Sequence, residues 1–343
     1  MINKFLEAIY AKIFVNIIVS RTHTNVYIEV CTKNGVVDSA ESDFKTITIN
    51  EEMYEFIKSY TDDSPYYYIS IIDTSNSQGA IPSCIKSEMD KFYSSDVSKY
   101  ICVSDKWAYY SSKYDLQQIE SNYKNIGIDF IFSPFSILFM FFKDKIDTTT
   151  SMYVLIQDNF LSLCIFDNSK LLFAKQLDLE HAEIDDENIL IDGSLDEDDE
   201  DFELDDDINI DEIDADMNSL DDLSDLEDLG DIEDLGDFEE IDEFSEEEEK
   251  KEILTQEDTS AMDTDANGFN EDYQRYSLLK GAVNSFYKDS KYESKFIESV
   301  YIADSIGISS DLKKYLEEEM FLSVYVRHID LGTEICEMAK VEL

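Results

Sequence analysis

The stretch Ser151–Gln176, SMYVLIQDNFLSLCIFDNSKLLFAKQ, decides how the rest of the chain is read. It holds three apolar, β-branched and aromatic runs: Met152–Gln157, Leu161–Phe166 and Leu171–Gln176. Asp158-Asn159 separates the first two and Asp167-Asn168-Ser169 the last two. Asn, Asp and Ser close tight turns because their side chains bond nearby backbone, and Asn and Asp also tolerate left-handed dihedrals. The pattern predicts an antiparallel meander of three strands.

Towards the N-terminus the same shape recurs. Ile13–Val19, Val26–Cys31 and a third run from about Val36 to Ile49 predict a first meander, with Lys33-Asn34-Gly35 as a hairpin turn. A helix follows from about Glu51 to Tyr60, then a strand, Tyr66–Ile72, whose unbroken apolar character predicts burial on both faces. Residues 74–98 read as a polar connection and Tyr100–Val103 as a short strand. Leu116, Ile119, Tyr123 and Ile126 stand at three- and four-residue steps, predicting a helix from about Ser112 that Gly127 stops. Ile128–Phe132 reads as a strand, and Pro134 opens an apolar helix to about Phe142. At the very start, Ile2, Phe5, Leu6, Ile9 and Ile13 predict a short amphipathic helix, either packed on its own domain or lying on a membrane surface.

On the other side, Tyr276, Leu279, Val283 and Phe286 line one face of a helix over about 271–288. Phe296–Ala303 leads into a strand; a turn containing Gly307, a helix from near Ser310 and a strand Phe321–Val326 follow, and the tail to Leu343 has helical character without an assignable place. Two meanders, each feeding alternating helices and strands, predict a duplicated α/β architecture of two lobes.

Between the two halves of the second lobe, His181–Asn270 holds 41 Asp and Glu against two lysines, which is −39 of the net −52. So much charge with so few aromatics predicts a long disordered acidic insert, because too little apolar surface is available to offset chain entropy. The organisation expected is a first lobe over 1–147, a second lobe over 148–180 plus 271–343, and the insert over 181–270. Charge of this sign repels nucleic acid and anionic lipid. The most apolar segment, Phe130–Phe142, is too short to span a bilayer, and no secretory signal is evident. These features predict a cytoplasmic chain with no direct membrane insertion and no nucleic-acid partner. Cys31, Cys84, Cys102, Cys164 and Cys336 stand singly in apolar runs, which reads as reduced, buried thiols.

The insert carries one pattern. From Met217 every third residue is apolar: Leu220, Leu223, Leu226, Leu229, Ile232, Leu235, Phe238, Ile241 and Phe244. A period of three matches neither an α-helix nor a strand. Two readings stand: a solvated tether, or an acidic–apolar segment that docks on a basic, apolar-lined partner. Nearby, Asp263, Asp265 and Asn267, followed by Gly268, match the opening of an EF-hand calcium loop. The twelfth position is Gln274 instead of Glu, so an acidic turn before a helix competes with a weak calcium site. His23, His181 and His328 lie far apart in sequence with no motif around them, and no catalytic or cofactor-binding residue is assigned.

The order of elements resembles the actin-like ATPase superfamily, and within it the PilM-type proteins and the cytoplasmic part of GspL-type proteins. Ser151–Gln176 looks like the hairpin that opens the second lobe, and Tyr273–Val326 like the unit that closes it. The resemblance implies a two-lobed, actin-like (ribonuclease H-like) fold. It also implies where ATP and Mg²⁺ would sit, on three loops, and each departs from what phosphate binding requires. Val19-Ser20-Arg21-Thr22-His23-Thr24 has neither acid nor glycine, Gln157-Asp158-Asn159 keeps an acid without glycine, and Ala303-Asp304-Ser305-Ile306-Gly307 replaces the Gly-Gly of the adenosine side. The insert falls where a family member carries the subdomain that helps enclose nucleotide.

What the resemblance then implies is a pseudo-ATPase with no cofactor, acting as a non-enzymatic scaffold of a type IV pilus, type II secretion or flagellar-motor-associated platform. Such a scaffold is peripheral at the inner membrane and forms a homo-oligomer or ring. It captures the short cytoplasmic peptide of a membrane-anchored, PilN-like protein in a groove of the first lobe. The alternative is an active actin-like ATPase with nucleotide-gated assembly.

Overall fold

The computed structural model describes residues 10–94, 96–146, 149–179 and 262–343, with the backbone alone over 262–270. The first strand, β1 (Lys12–Val19), is buried along almost its whole length because both faces are covered: Ile13, Val15 and Ile17 enter one apolar core and Phe14 and Ile18 another. It pairs antiparallel with β2 (Thr24–Thr32) and parallel with β4 (Tyr67–Ile72). β2 continues antiparallel into β3 (Gly35–Phe44), with Gly35 at φ +115° in the turn. That dihedral suits glycine, which has no Cβ to clash. Helix α1 (Glu51–Thr61) starts where Asn50 accepts from the Met53 amide at 2.8 Å, with Glu51 and Glu52 placed against the positive end of the helix.

The second lobe repeats this plan. β9 (Ser151–Ile156) pairs antiparallel with β10 (Phe160–Asp167), which pairs with β11 (Lys170–Asp178), as the quoted stretch predicts. β12 (Ser299–Asp304) joins β9 in parallel and β13 (Ser323–His328) joins β12. With β8 (Phe130–Phe132) beside β4, the strand orders are β3-β2-β1-β4-β8 and β11-β10-β9-β12-β13. Both sheets thus run 3-2-1-4-5 with the second strand antiparallel to the first. This is the duplicated ribonuclease H-like arrangement of an actin-like fold.

Among the described residues there are three large apolar cores and a small fourth, Ile81, Met89 and Ala108. One face of the first sheet packs Val15, Ile17 and Ile28 on Met53 and Ile57 of α1. The outer face of the second sheet packs Val154, Leu163 and Ile302 on Leu279 and Phe286 of α5 (Met262–Lys288) and Leu312 of α6 (Ser310–Glu318). Between the sheets lie Phe135 and Leu138 of α4 (Pro134–Phe141), which Ser133 caps and Pro134 starts.

Several expectations are corrected. The polar connection expected over 74–98 contains β5 (Gln78–Ile81), the short α2 (Lys86–Met89) and the start of β6 (Ser98–Val103). With β7 (Trp107–Ser112), which leads into α3 (Lys113–Asn122), they form a third sheet of order β5-β7-β6. β5 is only four residues long, so no periodicity announces it; its burial comes from lying beside β11, the outer strand of the second sheet. Asn76 Nδ2 donates to Asp178 Oδ2 at 2.5 Å across that junction.

This small sheet also places Cys84 and Cys102 as a disulfide, with Cα atoms 5.7 Å apart, against the expectation of five free thiols. Both cysteines stand alone in sequence, and only the β5-β7-β6 hairpins make them neighbours. Cys31, Cys164 and Cys336 are free.

The tail, grouped by sequence with the second lobe, forms α7 (Leu331–Val341) and packs on β1, β2 and β4 of the first lobe. Gly332 permits this approach, since a Cβ there would meet Tyr27 Cβ at 2.6 Å. Lys340 of α7 forms an ion pair with Glu29 on β2. The helix expected from 271 begins at Met262, and residue 13, given to an N-terminal helix, belongs to β1. Residues 1–9 and the apolar series Met217–Phe244 lie outside the described residues.

Candidate functional site

The two hairpin turns that correspond to phosphate loops face each other across the lobes. In the first, the Ser20 amide is already bonded to the His23 carbonyl at 2.9 Å. In the second, the Gln157 amide donates to the Phe160 carbonyl at 3.0 Å. The turns then bond one another: the Arg21 amide donates to Asp158 Oδ2 at 3.1 Å, and Arg21 Nη2 donates to the Asp158 carbonyl at 2.7 Å. The third loop, after β12, closes on itself. Asp304, 6 % exposed, accepts from the amides of Ile306, Gly307 and Ile308 at 2.9–3.1 Å.

Phosphate binding in such loops depends on unengaged backbone N–H groups converging on the anion. Here Ser20, Arg21, Gln157, Ile306, Gly307 and Ile308 all donate to groups of the protein itself. Asp158, the one acid surviving from the phosphate-loop pattern, is a turn residue that holds Arg21. These six amides reach a triphosphate group only by giving up those bonds.

A line of charges extends from this clasp into the second lobe. Arg21 Nη1 lies 3.6 Å from Glu271 Oε1, and Arg275 donates to both Glu271 Oε2 at 2.9 Å and Asp272 Oδ1 at 2.7 Å. The Arg275 and Asp272 side chains are 5 % and 2 % exposed, so each needs the other to be charged inside the protein. Asp272 Oδ2 also accepts from the Ser309 amide at 3.2 Å, which ties α5 to the start of α6.

A cleft of about 470 Å³ opens beside the clasp. It is lined by Glu41 and Asp43 of β3, Asp158, Asp330 and two histidines, His23 and His328. Sequence reasoning left these histidines scattered; the paired strand ends bring them into one cleft. Among the described residues no three His, Cys, Asp or Glu side chains gather as a metal-ligand set. Asp263, Asp265 and Asn267 stand on the continuous helix α5, where the sharp turn of a calcium loop is not made.

A second depression, about 510 Å³, lies within the first lobe. Tyr100 and Ile101 of β6, Leu116 of α3 and Ile131 of β8 line it together with Asp73 and Asp129. β6 and β8 are each the last strand of their sheet, so the groove runs between two strand edges. Tyr100 is 41 % and Ile101 57 % exposed, an apolar wall open to solvent. Both acids are bonded: Asp73 Oδ1 accepts from the Ser75 amide at 2.9 Å and Asp129 Oδ2 from the Ile69 amide at 2.8 Å. No sequence motif marks this groove, because half of its wall comes from the small sheet.

Nucleophilic chemistry has little support in the remaining thiols. Burial pushes Cys31 up to about 11 and Cys336 up to about 12, which disfavours the thiolate.

Comparison with known proteins adds the following. No curated protein matches the chain. Among solved structures, a protein from Bacteroides thetaiotaomicron described as having an actin-like ATPase fold and unknown function aligns at TM-score 0.45 and 10 % identity, over 95 % of this chain and 96 % of that one. A PilM–PilN type IV pilus biogenesis complex aligns at TM-score 0.45 and 10 % identity, over 93 % of this chain and 89 % of that one. The activator of 2-hydroxyisocaproyl-CoA dehydratase from Clostridium difficile, with bound ADPNP, aligns at TM-score 0.35 and 10 % identity, over 97 % and 98 %. The fold assignment rests on the strand orders and not on these likenesses. Residues 10–139 match the model of a domain of unknown function, DUF8569. Residues 152–343, more than half of the chain, match the model described as domain of unknown function DUF8341, and the chain belongs to that family.

Proposed function

We propose that this protein is a non-enzymatic, actin-like scaffold whose working surface is the groove of the first lobe. The observation that carries the reading is the engagement of the phosphate-loop amides by the protein's own groups, above all Arg21 and Asp158 holding each other across the lobes. The groove supports a peptide partner: two strand edges offer backbone hydrogen bonds to an extended segment, and Tyr100, Ile101 and Leu116 offer an apolar wall for alternate side chains. By the resemblance in element order, the occupant is the short cytoplasmic segment of a membrane-anchored, PilN-like protein. The scaffold then sits on the cytoplasmic face of the inner membrane in a pilus, secretion or flagellar-motor-associated platform, as a homo-oligomer or ring. No helix among the described residues is long and apolar enough to cross a membrane, which agrees with attachment through a partner.

The test is proximity labelling in native cells with the full chain, with Ile101→Asp/Ile131→Asp, and with a chain lacking residues 185–262. A membrane protein with a short cytoplasmic segment, labelled by the full chain and lost with the groove variant, supports the proposal. An unchanged set of labelled proteins in the groove variant contradicts it. Loss of labelling without 185–262 assigns docking to the apolar series Met217–Phe244, and unchanged labelling leaves that stretch a tether.

A further inference from the structure

The cleft between the lobes has the opposite charge from a phosphate site. Its lining carries four carboxylates, those of Glu41, Asp43, Asp158 and Asp330, and no lysine or arginine. Glu41 and Asp43 lie two residues apart on β3, hence on one face of the strand. Asn25 holds them together, donating Nδ2 to Glu41 Oε1 at 2.8 Å and to Asp43 Oδ1 at 3.0 Å. Like charges kept this close repel, and a bound cation removes that cost.

Two polar groups at the cleft lack a protein partner. Gln157 is 3 % exposed and lines the cleft, and among the described residues its side-chain amide has no hydrogen-bond partner, only its backbone amide being engaged. Asp158 Oδ1 is buried and likewise unpartnered. A buried polar group without a partner is costly; Asp158 Oδ1 is sealed within the turn, whereas the Gln157 amide lines the cleft and points to a partner supplied from outside. Ile18, Ile306, Ile329 and Leu331 add apolar patches to a lining that is otherwise polar.

We propose that this cleft binds an aliphatic polyamine. The carboxylates are spread around the cleft and do not gather as metal ligands, which suits a ligand whose charges are several ångströms apart. The apolar patches suit the methylene segments between its ammonium groups, and the volume of about 470 Å³ is that of a small-molecule site. Gln157 Oε1 accepts a hydrogen bond from one ammonium end, and Glu41 and Asp43 neutralise the other.

The test is equilibrium dialysis of radiolabelled spermidine against the full chain at physiological ionic strength. Residues 181–270 supply a diffuse background, so the chain is compared with Glu41→Gln/Asp43→Asn, which leaves that stretch untouched. Both substituted residues are exposed, and circular dichroism checks that the variant folds. A separate variant, Ile306→Trp, fills the cleft from the opposite wall. The expected result is one saturable site weakened at least about tenfold in each variant. Identical isotherms for the full chain and Glu41→Gln/Asp43→Asn would overturn the proposal, as would complete displacement of spermidine by magnesium at equal charge.

Discussion

Arg21 and Asp158 stand 137 residues apart in sequence and bond each other twice, amide to carboxylate and guanidinium to carbonyl, across the two lobes. Arg21→Ala removes the guanidinium bond and the contact with Glu271 but keeps the amide bond. The side chain is 36 % exposed, so the expected loss is modest, about 1 kcal/mol. Denaturant unfolding measures it, and amide exchange at residues 20–23 and 157–160 should speed up more than exchange in β1 or β9.

Two glycine substitutions should move stability in opposite directions. In Gly332→Ala the new Cβ would meet Tyr27 Cβ at 2.6 Å and Cγ at 2.9 Å, pushing α7 off the first sheet. The expected cost is roughly 1–3 kcal/mol, with a lower Tm. Gly281 stands exposed within α5 with open space around it, so Gly281→Ala should stabilise by up to about 1 kcal/mol. A loss at Gly281 and none at Gly332 would be inconsistent with how these helices are seated.

How much of this was legible in the sequence depended on length and period. The two meanders announce themselves because five of their six strands are runs of six to nine largely apolar or β-branched residues, and three of the four turns carry Asn, Asp or Gly; only β3 is mostly polar. The small sheet does not, because QGAI is short and its burial comes from β11 and not from its own pattern. The degenerate loops could be read residue by residue, whereas the clasp and the acid-lined cleft could not. They depend on side chains from both lobes and on where α7 lands, and an amphipathic tail helix shows no preference for a lobe until Gly332 meets Tyr27.

The pair formed by Glu29 and Lys340 makes stability depend on pH. Burial pushes the Glu29 carboxyl up, but bonds from Lys340, Cys31 and Tyr27 and the Lys340 charge outweigh it and hold the group below the ordinary 4.5. Burial pushes Lys340 down, and its bonds to Glu29 and Glu337 outweigh that and raise it above 10.5. A depressed carboxyl contributes stability that is full above 4.5 and lost as pH falls through the folded value; a raised lysine contributes below 10.5 and is lost above it. Thermal unfolding of the protein and of Glu29→Gln should therefore differ by a constant gap between those limits, closing on the acid side. A gap that widens as pH falls below 4.5 would reverse the sign of this account.

Arg275 is expected to be the most costly single residue near the site. Its removal leaves Asp272, 2 % exposed at the side chain, as a buried charge that still has to hold Ser309. Arg275→Ala should cost about 3–5 kcal/mol, read by denaturant unfolding, and Arg275→Lys should recover part of it. A loss below about 1 kcal/mol would mean that the pair is solvated.

The central claim, that the protein occupies its own phosphate loops, is tested most directly by titrating magnesium–ATP into the full chain in a calorimeter. The predicted result is no saturable binding heat at millimolar nucleotide, because Ser20, Arg21, Gln157 and the three amides on Asp304 are engaged within the protein. Micromolar, magnesium-dependent affinity that is lost in Asp158→Ala would contradict it and would return the protein to the nucleotide-gated members of its fold.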